Sequence, residues 1–166
     1  DAVRFADISN TDKGLAFDGR TVDEFKLANG TWVSAGKLRV EAVQATDGVL
    51  SDVAVCGLNR SDIRLLGFLN QNFCQQLVGD SRPLSELTTA PEVIEAVLAG
   101  LRKHNLAHPN TASRIAGITL MQTPPSSDAG EITEKGYLNQ FKVQALRSAD
   151  IDRLFGENDD PSILKL

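Results

Sequence analysis

The chain has no run of about twenty apolar residues, the length a helical membrane span needs. It shows no secretory leader pattern, and its only methionine is Met121. An opening of Asp1-Ala2-Val3-Arg4-Phe5 leads to the expectation of a piece cut from a longer protein. Also missing are a GxSxG nucleophile elbow, a phosphate-cradling P-loop and a paired-carboxylate arrangement, which leaves no self-contained hydrolase motif. Cysteine is scarce. Cys56 and Cys74 stand apart in apolar surroundings without neighbouring histidines, a poor metal set, and are expected to be buried reduced thiols of a cytoplasmic protein. Positive charge is not in excess: 17 basic against 22 acidic side chains give −5, so nucleic acid and anionic membranes are not expected partners. Neither internal repeats nor low-complexity tracts interrupt the chain.

What is present suffices for a folded domain. A chain of 166 residues can bury roughly two-thirds of the surface it exposes unfolded. Val3–Phe5 and Leu15–Phe17 suit a strand pair around the polar turn of residues 7–14. Ser34 is a plausible N-cap for a helix over residues 35–45, with Leu38, Ala42 and Ala45 facing inward. The runs 53–58 and 63–69 read as core strands joined in an antiparallel hairpin. Residues 70–88 mix amides, Gly79 and Pro83 and read as a loop with about one helical turn. Thr89-Ala90-Pro91-Glu92 fits a capping box, opening a helix striped by Val93, Val97 and Leu101 to about His104. Residues 113–121 read as another strand. A closing helix over 138–155 is expected to bury Leu138, Phe141, Ala145, Ile151, Leu154 and Phe155, with Asp159-Asp160 in a solvated tail. This order gives an α+β fold, a small mixed sheet flanked by helices and preceded by a short β-hairpin.

One stretch organises the rest. Gly14 to Val33, GLAFDGRTVDEFKLANGTWV, reads strand, turn, strand, tight turn, strand, with turns at Asp18-Gly19 and Asn29-Gly30. This segment resembles the hinge of the adenylate-forming superfamily, which includes acyl-CoA synthetases, luciferases and peptide-synthetase adenylation domains. Its FDGR, DEFKL and GTWV wording is most similar to feruloyl-CoA synthetase. GEITEKGYLNQ, residues 130–140, resembles that family's C-terminal signature, and DAVRF resembles the residues just after the Gly of its ribose-binding Gly-Asp motif. The resemblance implies that residues 1–20 end a larger adenylation domain and that residues 21–166 form its mobile C-terminal domain.

The same resemblance implies roles. Arg20, the Arg of the Gly-Arg pair, would contact the AMP ribose, a task for which a guanidinium fork is suited. Asp1 would accept from both ribose hydroxyls. The family shows two acidic residues after Gly-Arg-X; here Val22 takes the first place and Asp23 the second, and the pivot is one of the two. Lys26 matches a lysine lying near the phosphate in one domain orientation, where an ammonium can meet pyrophosphate or adenylate. Beyond Gly30 the family usually carries Arg or Gln; Trp32 stands there instead, as a packing residue or, with Gly30, a platform for CoA. The near-terminal catalytic lysine follows a Thr-X-X-Gly turn. Thr133-Glu134-Lys135-Gly136 supplies the turn, but Tyr137 occupies the lysine's place, so either Lys135 reaches the phosphates or this branch dispenses with the group.

The implied reaction is AMP-forming acid–CoA ligation with ATP, CoA and Mg²⁺ carried by ATP, on a carboxylic acid held by the adenylation domain. No protein-held metal is expected. His104 and His108 have i, i+4 spacing that would suit a metal on a helix, but Asn105, Pro109 and Asn110 mark a frayed end where His simply favours the C-terminal dipole. A medium- or long-chain fatty acyl-CoA ligase and a non-catalytic α+β binding module are the alternatives.

Overall fold

The computed structural model describes residues 24–156 and 160–166 in full, and the backbone of residues 3–5 and 15–17. Val3–Phe5 (β1) pairs antiparallel with Leu15–Phe17 (β2). Glu24–Lys26 (β3) and Trp32–Ser34 (β4) form a second antiparallel ribbon, which runs directly into helix Ala35–Ala45 (α1). Ser34 takes the N-cap backbone position without a side-chain bond. Leu50–Cys56 (β5) and Ile63–Leu69 (β6) pair antiparallel. Helices Gln71–Val78 (α2), Leu84–Leu87 (α3) and Pro91–Ala107 (α4) then carry the chain to Ile115–Leu120 (β7), parallel to β6. Gln140–Leu146 (α5), Ser148–Leu154 (α6) and Ile163–Lys165 (β8) complete a mixed sheet ordered β5-β6-β7-β8.

The sheet is apolar on both faces because helices cover both. One face joins Val53, Val55, Leu65, Ile115 and Ile118 to Leu38, Val97 and Leu101 of α1 and α4. The other joins Ala54, Cys56, Leu66 and Phe68 to Val143 of α5 and Leu154 of α6. Strict alternation would put Ile115 and Ile118 on opposite faces. A register shift beside Ile63 inserts one residue into β7 and returns both to the same core. The outer edge of β5 is closed by side-chain amides rather than a strand. Gln140 accepts from the Val55 amide and donates to its carbonyl, which Gln144 also reaches. Such capping removes a pairing template.

Several expectations need correction. Residues 70–88 contain two helices rather than a loop. Asn70 accepts from the Phe73 amide at 3.2 Å, and Gly79 closes α2 in the left-handed region at φ 83°. The capping box does not form, because the Thr89 hydroxyl turns back to the Glu86 carbonyl and Ala90 is the N-cap. The closing helix is two helices broken at Arg147, whose side chain is anchored elsewhere. Val143 is buried there, whereas Phe141 is 79% exposed and Ala145 is exposed. Asp160 is no solvated tail: it accepts from the Ser162 amide and hydroxyl just before β8, which the sequence did not reveal. Asp159 lies outside the described residues.

Helices α1 and α4 approach closely at Gly100. A Cβ there would lie 2.3 Å from the Ala45 carbonyl oxygen, backbone that has no room to retreat. Alanine is the better helix former by about 1 kcal/mol in an exposed helix, yet Gly100→Ala is expected to destabilise by about 1–3 kcal/mol through overpacking. Urea unfolding of residues 1–166 checks this; an unchanged or raised midpoint would contradict the close approach.

Candidate functional site

The β3–β4 ribbon turns at residues 28–30, where Gly30 has φ +85° and the Thr31 amide donates to the Asn29 side chain at 3.0 Å. Leu27 and Val33 are buried and fix the ribbon's inner side. Lys26 and Trp32 are cross-strand partners, and the Lys26 ammonium lies 4.7 Å from the Trp32 ring centroid. A cation over an indole face is favourable by about 0.5–1 kcal/mol at an exposed site. Trp32 is 59% exposed, so it is no core residue; with Lys26 it makes an outward-facing pair of one cation and one flat apolar surface. The ribbon is docked by main-chain bonds, Asn59 N–H to the Lys26 carbonyl at 3.0 Å and Ala28 N–H to the Arg60 carbonyl at 2.8 Å.

Lys135 stands on a different device. The Thr133 amide donates to the Tyr137 carbonyl, and the Gly136 amide to the Thr133 carbonyl, each at 2.8 Å. The loop Glu134-Lys135-Gly136 is thus a three-residue hairpin, with Gly136 at φ +79° supplying the left-handed position it requires. Ile132 bridges Leu138, which anchors in the core. Lys135 and Tyr137 are both exposed at the tip.

The two lysine-bearing segments belong to opposite layers. Leu27 and Val33 of the ribbon join the core under α1 and α4. Leu138, just past the Lys135 turn, joins the core under α5 and α6. Sequence reasoning named both segments but could not assign them to faces. Asp1, Arg20, Val22 and Asp23 lie outside the described residues.

The layer beneath Lys135 is held by an ion pair that sequence reading missed. Arg147 donates to both carboxylate oxygens of the buried Glu131, at 2.7 and 2.9 Å, and its guanidinium lies 5.0 Å from the Phe68 ring centroid. Arg147 also donates to the Thr123 and Pro124 carbonyls. The Arg147 bonds to its carboxylate, then the Ser126 amide donating at 2.7 Å, hold Glu131 below the usual carboxylate range. A surface cleft of about 340 Å³ opens beside Thr123, Arg147 and Arg153. Its arginines are already committed, Arg147 to Glu131 and Arg153 to Asp150 and Asp160, so the cleft offers no unpaired guanidinium to an anion. Burial pushes Cys56 up to about 12 and Cys74 up to about 11, leaving both protonated.

Neither a protein-family model nor a curated protein matches the sequence. The arrangement of sheet and helices does match solved structures: it is the fold of a segment of adenylation domains. The A domain of carboxylic acid reductase from Segniliparus rugosus, in complex with AMP and a co-purified carboxylic acid, aligns with a TM-score of 0.66 at 16% identity. That alignment covers 86% of this chain and 21% of the other. The A-PCP didomain of the same enzyme, in complex with AMP, gives 0.62 at 16% identity over 87% of this chain and 19% of that one. The adenylation domain of the Mycobacterium chelonae carboxylate reductase gives 0.67 at 14% identity over 86% and 21%. This chain therefore spans about a fifth of the length of the solved chains it matches. No helix among the described residues is long and apolar enough to cross a membrane.

Proposed function

We propose that this chain is the mobile C-terminal part of an ATP-dependent enzyme that activates a carboxylic acid as its acyl adenylate. The observation that carries the reading is one sheet with two lysine-bearing elements packed on its opposite layers, in the fold of a segment of AMP-bound adenylation domains. In the first step a carboxylate oxygen attacks the α-phosphorus of ATP, forming acyl-AMP and expelling pyrophosphate with Mg²⁺. In the second, a thiolate attacks the acyl carbon and expels AMP. A domain that swings about the hinge at Val22 or Asp23 would offer the Lys135 turn in one orientation and the Lys26–Trp32 ribbon in the other.

Residues 1–20 would then end the preceding adenylation domain, with Asp1 and Arg20 on the ribose, and residues 21–166 would be the swinging part. ATP, the acid and the groups ligating Mg²⁺ belong on the larger body. The FDGR, DEFKL and GTWV wording favours CoA as the thiol and a feruloyl-type acid, with Trp32 and Gly30 beneath CoA. A second reading, in which the adenylate feeds a carboxylic acid reductase, is favoured by the solved structures that share the fold.

ATP–pyrophosphate exchange by the intact protein, measured with phenylpropenoic and aliphatic acids, tests this. Exchange should require an acid, and adding CoA should yield the thioester and AMP. Adenylation without CoA consumption selects the reductase-type reading. Exchange with no acid of either class would remove the assignment altogether, and turnover by residues 1–166 alone would remove the idea of a half-site.

A further inference from the structure

We infer that the junction of α1 and α4 is a divalent transition-metal site of two imidazoles and one carboxylate, Glu41, His104 and His108, suited to Zn²⁺. The three side chains place a ligand atom each within 4.8 Å of one another. Zn²⁺ bonds nitrogen and oxygen at about 2.0–2.2 Å, so the three ligand atoms would have to draw closer together around the ion. His104 and His108 have the i, i+4 spacing that lets two imidazoles bind one ion; their rings are stacked with centroids 4.8 Å apart and would have to rotate out of the stack to share it. The helix runs to Ala107 rather than fraying at His104, and His108 is its C-cap, with its amide bonded to the His104 carbonyl.

Glu41 comes from the other helix. The close approach of α4 to α1 at Gly100 and Ala45 brings Glu41 beside His104, a meeting no sequence spacing encodes. Its one ion pair among the described residues is loose, 3.8 Å to the exposed Lys37. The tautomer of His104 is already set for ligation. The residue is 4% exposed, and its Nε2 donates to the Ser113 carbonyl at 2.9 Å, since a carbonyl can only accept. The atom left with a lone pair is Nδ1. A backbone carbonyl holding the far nitrogen is the usual outer partner of a ligating histidine. The chain around that carbonyl is itself fixed: Asn105 binds both backbone groups of Ile115, at 2.7 and 2.8 Å, pinning the end of α4 to β7. Two imidazoles and a carboxylate leave a fourth position for water, a set that suits zinc over magnesium. Closing it would tie the helix that continues the Lys26–Trp32 ribbon to the helix that backs the sheet. The inference stands apart from the adenylation reading.

Metal-free residues 1–166 should bind one Zn²⁺ per chain in competition with a chromophoric chelator, and excess Mg²⁺ should not displace it. Zn²⁺ should raise the melting temperature, and Co²⁺ in its place should give visible d–d bands. His108→Ala and Glu41→Gln, both at partly exposed positions, should leave the apo melting temperature nearly unchanged. Each should weaken Zn²⁺ binding by about tenfold or more, the loss that even an outer partner of a ligand causes. Absence of binding by the unaltered chain, or full affinity in either variant, would overturn the site.

Discussion

Under the proposed adenylation reading, Lys135→Ala in the intact protein is expected to slow acid-dependent ATP–pyrophosphate exchange by about 10²-fold, the loss seen when one preorganised group aimed at developing charge is removed. Lys135 is exposed at the tip of a hairpin whose shape is set by backbone bonds and Gly136. Its methylenes carry no core packing, so stability should change by no more than about 0.5 kcal/mol. The conversion of supplied acyl-AMP by thiol should be nearly unaffected if the proposed domain swing carries the turn away from the nucleotide in that step. The split between half-reactions is therefore the informative readout. If both fall together, or neither falls, Lys135 is not the adenylation lysine. The departure of Tyr137 from the family pattern would then mean that the group has been dispensed with.

The second large effect is on stability. Arg147→Ala should cost about 3–5 kcal/mol at neutral pH, the range for breaking a buried ion pair by removing one partner. Glu131 is only 3% exposed, and without Arg147 its charge would keep a single amide donor, from Ser126. The loss should depend on pH with a definite sign. Arg147 holds the folded-state carboxyl of Glu131 below its unfolded value, so the pair's contribution is complete above the ordinary carboxylate range. It is lost as pH falls through the depressed folded value. Urea unfolding at pH 7 and near pH 4 should thus show the gap between parent and variant narrowing in acid, as the stranded carboxyl takes up a proton. A gap of the same size at both values would show that Arg147 acts through its carbonyl bonds and its contact with Phe68 instead.

Much of the architecture was legible because its signals are local. The helix over residues 35–45 and the strand over 63–69 match their expected bounds, since a helix start and a continuous apolar run are encoded within a few residues. The two helices in residues 70–88 were equally local, Asn70 opening α2 and Gly79 closing it, but the surrounding amides obscured them. The exposed Phe141 shows the limit of periodicity: an apolar stripe over residues 138–155 assumes one helix, and Arg147 breaks the chain into two.

By itself the sequence determined the alternation of elements, the hinge-like wording of residues 14–33 and the two lysines worth testing. Tertiary structure alone decided which face each lysine-bearing segment joins, which carboxylate Arg147 neutralises and which acidic residue meets the histidine pair. The physical reason is distance along the chain. Turns, caps and apolar periods act over a few residues, whereas the meeting of Glu41 with His104 requires two helices to close on a glycine.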